Sequence, residues 1–369
     1  MNIDTRKSLI LFLTLLLSLF VGLRDMIGGY DVYIYGEIFD ITPPITSFQH
    51  FLLVASGKDP SLPQILEPGY IAIGGLIKLF TDSRYHFFLI LSILSYFMIF
   101  RTFKKFMPFV FLAIFIFSCK FMLMSFVYVR QMLAMAIVWS AIPAIFKRDI
   151  LRFSILVFIA SIVHNSALLF FPVYFLGLKQ YSSRLISVAI ILSFALGLTP
   201  FFSSVLGGVG ETMNIEKAQL YANKGVGGIN YFYVLESTLI GAFLYFNRNK
   251  FYKGEESTLF FNLALGYVCL TFFTLRDATG IRFVWYFLIG IIYVISAIPY
   301  LYRYQPMMRQ TLLIGTVVYF SALHFRLLTV WDFGDMMPYQ TYMSETKRPT
   351  IWRDREYTMK YAKPTEVLQ

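Results

Sequence analysis

Charged residues are scarce in this chain. Only 14% of its 369 residues are Asp, Glu, Lys or Arg, whereas an ordinary soluble domain has about 25%. So few ions could not cover a surface that faces water, which excludes a soluble enzyme. The apolar content of 57% excludes a disordered protein as well.

Cysteine is scarce too, and metal-binding patterns are not seen. Cys119 and Cys269 are the two cysteines, and both lie inside apolar stretches, so neither a disulfide nor a metal site is indicated. No P-loop, HExxH, CxxC or GxSxG sequence stands out. We therefore expect no metal ion and no cofactor.

Long apolar runs, rich in aromatic residues, make up most of the chain. Several approach the ~20 residues that span the hydrocarbon layer of a bilayer. The sequence therefore predicts one all-α polytopic membrane domain, residues 1–369, with about 11–12 transmembrane helices plus short re-entrant or interfacial helices. The runs lie near 9–23, 68–80, 85–100, 107–129, 130–146, 150–163, 166–178, 184–206, 229–246, 257–275, 281–300 and 310–328.

The basic residues predict the orientation. The net charge of +11 is scattered over alternate connections rather than gathered in the contiguous patch that binds nucleic acid, and this is the positive-inside pattern. We expect the outward segments to be an external region 24–84, short connections near 124–130, 163–166 and 276–281, a loop 207–228 and a tail 329–369. Within the first, the run 68–80 is too short to cross and is re-entrant or interfacial. The inward basic connections lie near 6–7, 101–105, 147–152, 179–184, 248–253 and 303–309.

An Asp and several Tyr residues follow the first apolar run. In a helix, Asp31 and Tyr35 share one face, with Tyr33 close by. Aromatic rings cover the C–H groups of sugars, and carboxylates accept protons from sugar hydroxyls, so this stretch favours a sugar-binding surface. The alternative is a belt of interfacial tyrosines beside a solvated Asp.

A second carboxylate precedes a short apolar helix. Glu67 comes directly before Pro68, and Tyr70 follows within the first turn. Glu67 could cap the free N–H groups of that helix. Alternatively, it could remove a proton from an acceptor hydroxyl if it is partly desolvated.

Arginine stands at two outward helix starts. Arg130 and Gln131 open one apolar run, while Arg276 and Arg282 flank a tight turn before another. A guanidinium pairs bidentately with phosphate and stays charged at any working pH, so these residues favour a diphosphate site. The alternatives are a snorkelling anchor at Arg130 and a surface ion pair between Arg276 and Asp277.

Two further outward features are open to two interpretations. His164 and Asn165 interrupt an apolar stretch. The histidine could donate a hydrogen bond to a phosphate or transfer a proton. Alternatively, it could be a structural residue whose hydrogen bonds are made within the protein. The loop 207–228 has glycines at both ends, which is typical of a mobile lid or of a plain flexible connector.

Six short motifs occur in the order that is found in the Wzy-like polysaccharide polymerases of the EpsG type. The chain resembles this family over nearly its whole length, although Met132 and Leu133 replace the small residues that are usual after Gln131. The motifs are Tyr30-Asp31 to Tyr35, Glu67-Pro68-Gly69-Tyr70, Arg130-Gln131 to Ala134, His164-Asn165-Ser166-Ala167, Arg282 to Phe287 and Pro338-Tyr339.

The resemblance implies a GT-C-like glycosyltransferase of the bacterial inner membrane with its active site on the periplasmic face. Its partners would be the lipid bilayer, an undecaprenyl-diphosphate-linked oligosaccharide and a chain-length regulator, without nucleic acid. The growing glycan would move from its carrier to the non-reducing end of a lipid-linked repeat unit. A flippase for lipid-linked oligosaccharide and an O-antigen ligase are the alternatives.

Diphosphate is a good leaving group, and guanidiniums can stabilise its charge without a metal. We expect Arg130 and Arg282 to hold the diphosphate with help from His164, while Glu67 acts as base. The other expected substrate-binding residues are Asp31, Tyr33, Tyr35, Tyr70, Gln131, Asn165, Arg276 and Tyr339.

Overall fold

The computed structural model describes residues 3–28, 30–58, 67–212, 227–277, 280–330 and 336–344. In these residues the chain is helical, and its one extended pairing is an antiparallel bridge between Arg24 and Thr341. The prediction of an all-α membrane protein is confirmed.

The described residues of the first half of the chain form ten α-helices. A π-helical turn, Ser118–Met122, lies between the sixth and the seventh. The helices are α1 Ile3–Gly22, α2 Tyr30–Ile41, α3 Phe48–Ala55, α4 Pro68–Ile77, α5 Arg84–Phe106, α6 Val110–Phe117, α7 Met124–Val127, α8 Val129–Ser140, α9 Ile142–Phe146 and α10 Ile150–Val163.

The second half begins with a 3₁₀ turn, Asn165–Phe170, and has another at Trp285–Phe287. Its helices are α11 Val173–Leu176, α12 Ser183–Gly197, α13 Phe201–Thr212, α14 Tyr231–Phe251, α15 Glu255–Phe273, α16 Ile281–Val284, α17 Leu288–Ser296, α18 Ile298–Leu301 and α19 Pro306–Val330.

Membrane-spanning capacity is shared among several helices. In the described part of the chain, five helical runs are long and apolar enough to cross a bilayer, and shorter apolar helices accompany them. The ten residues of α4 rise only about 15 Å, half of a ~30 Å hydrocarbon layer, which fits a re-entrant or interfacial helix. The five runs are Arg84–Phe106, Val129–Phe146, Glu255–Phe273, Ile281–Leu301 and Pro306–Thr329.

The core lies around α8 and the run Ile281–Leu301. Trp139 of α8 is fully buried, its ring lies 5.9 Å from that of Phe103, and its indole N–H donates to the Tyr286 carbonyl over 2.9 Å. By contrast, only 11% of the most apolar stretch of α19 is buried inside the protein, so this helix lies at the periphery of the bundle.

The structure differs from the sequence prediction near residue 200. The run predicted at 184–206 is broken, because α12 ends at Gly197 and Thr199 caps the next helix by accepting the Phe201 N–H. The loop predicted to begin at 207 is instead helical as far as Thr212. Residues 213–226 of that loop, and residues 331–335 and 345–369 of the predicted tail, lie outside the described residues.

Candidate active site

The site centres on Glu67, whose side chain is 5% exposed. Its Oε2 accepts from Nη1 of Arg130 in a close ion pair, and its Oε1 lies 3.3 Å from Nδ1 of His164. These residues come from the starts of α4 and α8 and from the turn after α10. A buried carboxylate needs such partners, because without them the cost of desolvation would favour the neutral, protonated form.

Local structure turns Glu67 away from its own helix. Pro68 occupies the first position of α4, and the Glu67 side chain makes no capping hydrogen bond, so the capping alternative is not what the structure shows. Gly69 allows α4 to approach α10, because an added Cβ would lie 2.7 Å from the Ile162 carbonyl oxygen. This close approach brings Glu67 to His164.

Arg130 is held by aromatic side chains as well as by Glu67. Its Nη2 donates to the Tyr35 hydroxyl over 2.9 Å, and its guanidinium lies 4.7 Å from the centre of the same ring. The edge of Tyr70 meets Tyr35 at 5.9 Å between ring centres. The Tyr70 hydroxyl is buried and has no hydrogen-bond partner among the described residues.

Arg282 lies on the same side of the molecule as Arg130. The Gln131 side chain donates to the Arg282 backbone carbonyl, which ties the start of α16 to that of α8. The Arg282 guanidinium stands 4.8 Å from the centre of the Tyr128 ring, and it is close enough to His164 to act on it electrostatically. The structure therefore brings together all four residues predicted to be catalytic.

Comparison with known proteins identifies the family. The model of the EpsG family matches residues 7–341, a range that includes every residue of the candidate site. The chain belongs to the EpsG family. Membership confirms the resemblance found in the sequence and supports a polysaccharide polymerase type of function in general. No curated protein and no solved structure matches the chain.

Two predicted substrate-binding residues of this EpsG family member, Arg276 and Tyr339, make other contacts. Arg276 donates to the carbonyls of Leu198 and Gly227, at 3.2 Å and 3.4 Å. The Tyr339 hydroxyl donates to the Phe20 carbonyl over 2.6 Å. Asn165 is exposed beside His164. Through these contacts, Arg276 and Tyr339 each bind the backbone of a segment that is distant along the chain.

Asp31 and Tyr33 lie on α2 with Tyr35. Asp31 is half-buried and close enough to Tyr35 to act on it electrostatically, whereas Tyr33 is buried. The α2 segment therefore contributes one side of the site, as the spacing of Asp31 and Tyr35 predicts.

Sequence reasoning missed two contributors to this region. Arg24 is 3% exposed, lies between the rings of Phe88 and Phe126, and donates to the Phe126 carbonyl over 2.6 Å. Burial lowers its pKa to about 10. Ser166 lies 3.1 Å from the Tyr286 hydroxyl, beside His164. The sequence shows Arg24 as a lone arginine directly after the first apolar run, and this position could have marked it as a candidate.

His164 is the histidine among the four residues predicted to be catalytic, and an imidazole can both give and accept a proton. Burial lowers its pKa below the ordinary value, while the Glu67 carboxylate acts in the opposite direction. The imidazole is therefore neutral at pH 7 and can accept a proton. In the described part of the chain, no group of three His, Cys, Asp or Glu residues is placed to hold a metal ion.

Proposed function

We propose that this EpsG family member is a membrane glycosyltransferase that lengthens a polysaccharide carried on undecaprenyl diphosphate. The bond between the sugar C1 and the diphosphate oxygen breaks, and a hydroxyl oxygen of an incoming lipid-linked repeat unit bonds to the same C1. The hydroxyl proton passes to a base, and undecaprenyl diphosphate leaves. The observation that carries this proposal is the Glu67 carboxylate held between Arg130 and His164.

We assign the base to His164 rather than to Glu67. Glu67 is paired with Arg130 and therefore ionised, and an ionised carboxylate can only accept hydrogen bonds. The proton of the imidazole then lies on Nδ1, facing Glu67, which leaves Nε2 as the acceptor. Glu67 thus orients His164, as the carboxylate does in other carboxylate–histidine pairs that activate a hydroxyl.

Arg282 is the residue that we assign to the diphosphate. Both terminal nitrogens of Arg130 are occupied, one by Glu67 and the other by Tyr35, so Arg130 is less able to offer its fork to a ligand. Arg282 is half-buried, and its guanidinium lies against the face of the Tyr128 ring. A guanidinium at this place would stabilise the charge that develops on the leaving diphosphate.

The direction in which the site faces follows from the helix ends. Arg130 opens the run that ends at Phe146, and His164 follows the helix that starts at Ile150, so the site lies opposite the basic connection 147–152. The positive-inside rule puts that connection in the cytoplasm. We therefore propose that the site opens at the periplasmic face of the inner membrane, where Tyr35 and Tyr70 line the sugar path.

Reconstitution tests this proposal. The purified protein in proteoliposomes, given only an undecaprenyl-diphosphate-linked repeat unit, is expected to produce a ladder of glycans without an added nucleotide sugar. Translocation of the substrate between leaflets without a ladder would instead establish a flippase. Transfer to a lipid A core without a ladder would establish a ligase.

The pH profile tests the role of His164. Because the neutral imidazole is the active form and burial lowers its pKa, kcat/KM is expected to fall only below about pH 6.5. In the Glu67→Gln variant the carboxylate no longer favours the protonated ring, so the acidic limb should move to lower pH. His86→Gln, which changes an exposed histidine outside the site, should keep the parent profile. If the acidic limb of the profile lies at the same pH in Glu67→Gln as in the parent, His164 is not the base.

A further inference from the structure

A buried ion pair lies on helices that the site does not use. Nζ of Lys120 lies 2.6 Å and 2.8 Å from the two carboxylate oxygens of Glu236, and these residues are 8% and 3% exposed. Lys120 lies in the π-helical turn Ser118–Met122 and Glu236 in α14. Each is a lone charge in an apolar run, where ionisable side chains are costly and commonly functional.

Two tyrosines complete the hydrogen bonds of the pair. The hydroxyl of Tyr267 on α15 donates to Oε1 of Glu236 over 2.9 Å, and that of Tyr319 on α19 donates to Oε2 over 2.7 Å. Each carboxylate oxygen thus accepts two hydrogen bonds. Since the cluster is satisfied by the chain itself, it is a connection between four segments rather than a binding site for a ligand.

Lys120 lies in a backbone irregularity, the π turn Ser118–Met122. A π turn contains one residue more than an α-helical turn, and such turns are rare and often lie at functional sites. Lys120 is its middle residue. Its bond to Glu236 links this turn to α14. Loss of that bond would favour return to α-helical geometry, which rotates the chain that follows by about 100° for each residue gained or lost.

The chain that follows leads directly into the candidate site. After the π turn comes α7, and then the Tyr128 turn at φ −89° and ψ 51°, two residues before Arg130. Trp285 contacts both ends of this segment. Its ring lies 5.2 Å from that of Phe121 in the π turn and 4.8 Å from that of Tyr128, so its environment depends on how the segment is rotated.

We propose that Lys120 and Glu236 are positioning residues, which set the rotation of the π turn so that Tyr128 meets Arg282 and Arg130 meets Glu67. The inference rests on the proposed function only where polymer formation is the readout. The position of Tyr128 against Trp285 can be measured without any reaction.

The double variant Lys120→Met/Glu236→Gln tests this. It removes both charges, so the protein avoids the unpaired buried ion that either single variant would create. With tryptophan labelled by ¹⁹F in the purified protein, the four tryptophans give four lines, and Trp285→Phe assigns the one of interest. We expect this line to shift in the double variant and polymer formation to fall roughly tenfold, with a melting temperature near that of the parent.

A matched tyrosine pair separates positioning from general stabilisation. Tyr319→Phe removes a hydroxyl bonded to Glu236 of α14, and Tyr302→Phe removes one bonded to Asn247 near the other end of the same helix over 2.8 Å. Only Tyr319→Phe should move the Trp285 line. The charge-swapped variant Lys120→Glu/Glu236→Lys should restore that line at least in part.

Two results would overturn the inference. One is a folded double variant with the parent Trp285 line and the parent rate, and the other is an equal shift in Tyr302→Phe and Tyr319→Phe. A shifted line in a protein whose parent makes no polymer would sustain the inference and reject the proposed function, so the two failures are distinguishable.

Discussion

Replacing Arg130 with lysine is expected to reduce the rate of polymer formation by about 100-fold or more. Arg130 contacts Glu67 with one terminal nitrogen and Tyr35 with the other. A lysine ammonium is a single point that cannot hold both groups at these positions. Glu67 would then no longer be fixed against His164, and the imidazole would lose its orientation towards the acceptor hydroxyl.

Lysine is the informative replacement because it keeps the charge. An apolar residue here would remove the arginine from the buried pair with Glu67, and breaking such a pair typically costs about 3–5 kcal/mol and could unfold the protein. The measurement is a single-turnover rate in proteoliposomes, beside the melting temperature of the same preparation. Arg84→Lys is the matched control, because Arg84 also binds a carboxylate, that of Asp40, but in an exposed pair. Equal rates for Arg130→Lys and the parent would contradict the arrangement that we describe.

Much of the site could be predicted because its residues are conspicuous in the sequence. A carboxylate before a helix, an arginine that opens an apolar run and a histidine that interrupts another are each unusual at a membrane boundary. Their order along the chain pointed to the family, which the family match confirmed. The pairing itself could not be predicted, since Glu67 meets Arg130 and His164 only through the packing of α4 against α10 at Gly69.

The roles of the residues depend on contacts that no pattern reveals. Glu67 would suit a base if it were alone, but its bond to Arg130 is the reason why we propose that it orients His164. Arg276 and Arg282 look alike in sequence, yet one donates to two backbone carbonyls and the other lies over Tyr128. In each case the deciding partner is far away along the chain.

The fold was predictable in class but less so in its irregularities. Apolar runs locate helices because burial in lipid requires every backbone group to be bonded within the helix. The π turn at Ser118–Met122 and the break after Gly197 interrupt such runs without a strong local signal. Lys120 of the first bonds to Glu236, more than a hundred residues away along the chain, and a local pattern does not reveal such a contact.

Replacing Arg282 with lysine is expected to lower kcat by about 100- to 1,000-fold while the protein stays folded. The reason differs from that for Arg130. Arg282 lies over the Tyr128 ring at 4.8 Å, where a planar guanidinium can stack and still present its edge to a diphosphate. Lysine keeps the charge but loses both the stack and the paired hydrogen bonds, so the leaving group would lose stabilisation in the transition state.

A matched arginine makes this result specific to the diphosphate. Arg248 also lies over a tyrosine ring, that of Tyr252 at 5.8 Å, but in the basic connection predicted to face the cytoplasm. Arg248→Lys should therefore keep the parent kcat, since it tests loss of stacking without loss of a ligand contact. If Arg282 acts on the leaving group, a donor with a poorer leaving group should widen the gap between Arg282→Lys and the parent. A gap that is the same for both donors would show that Arg282 binds substrate and transition state equally and does not assist departure.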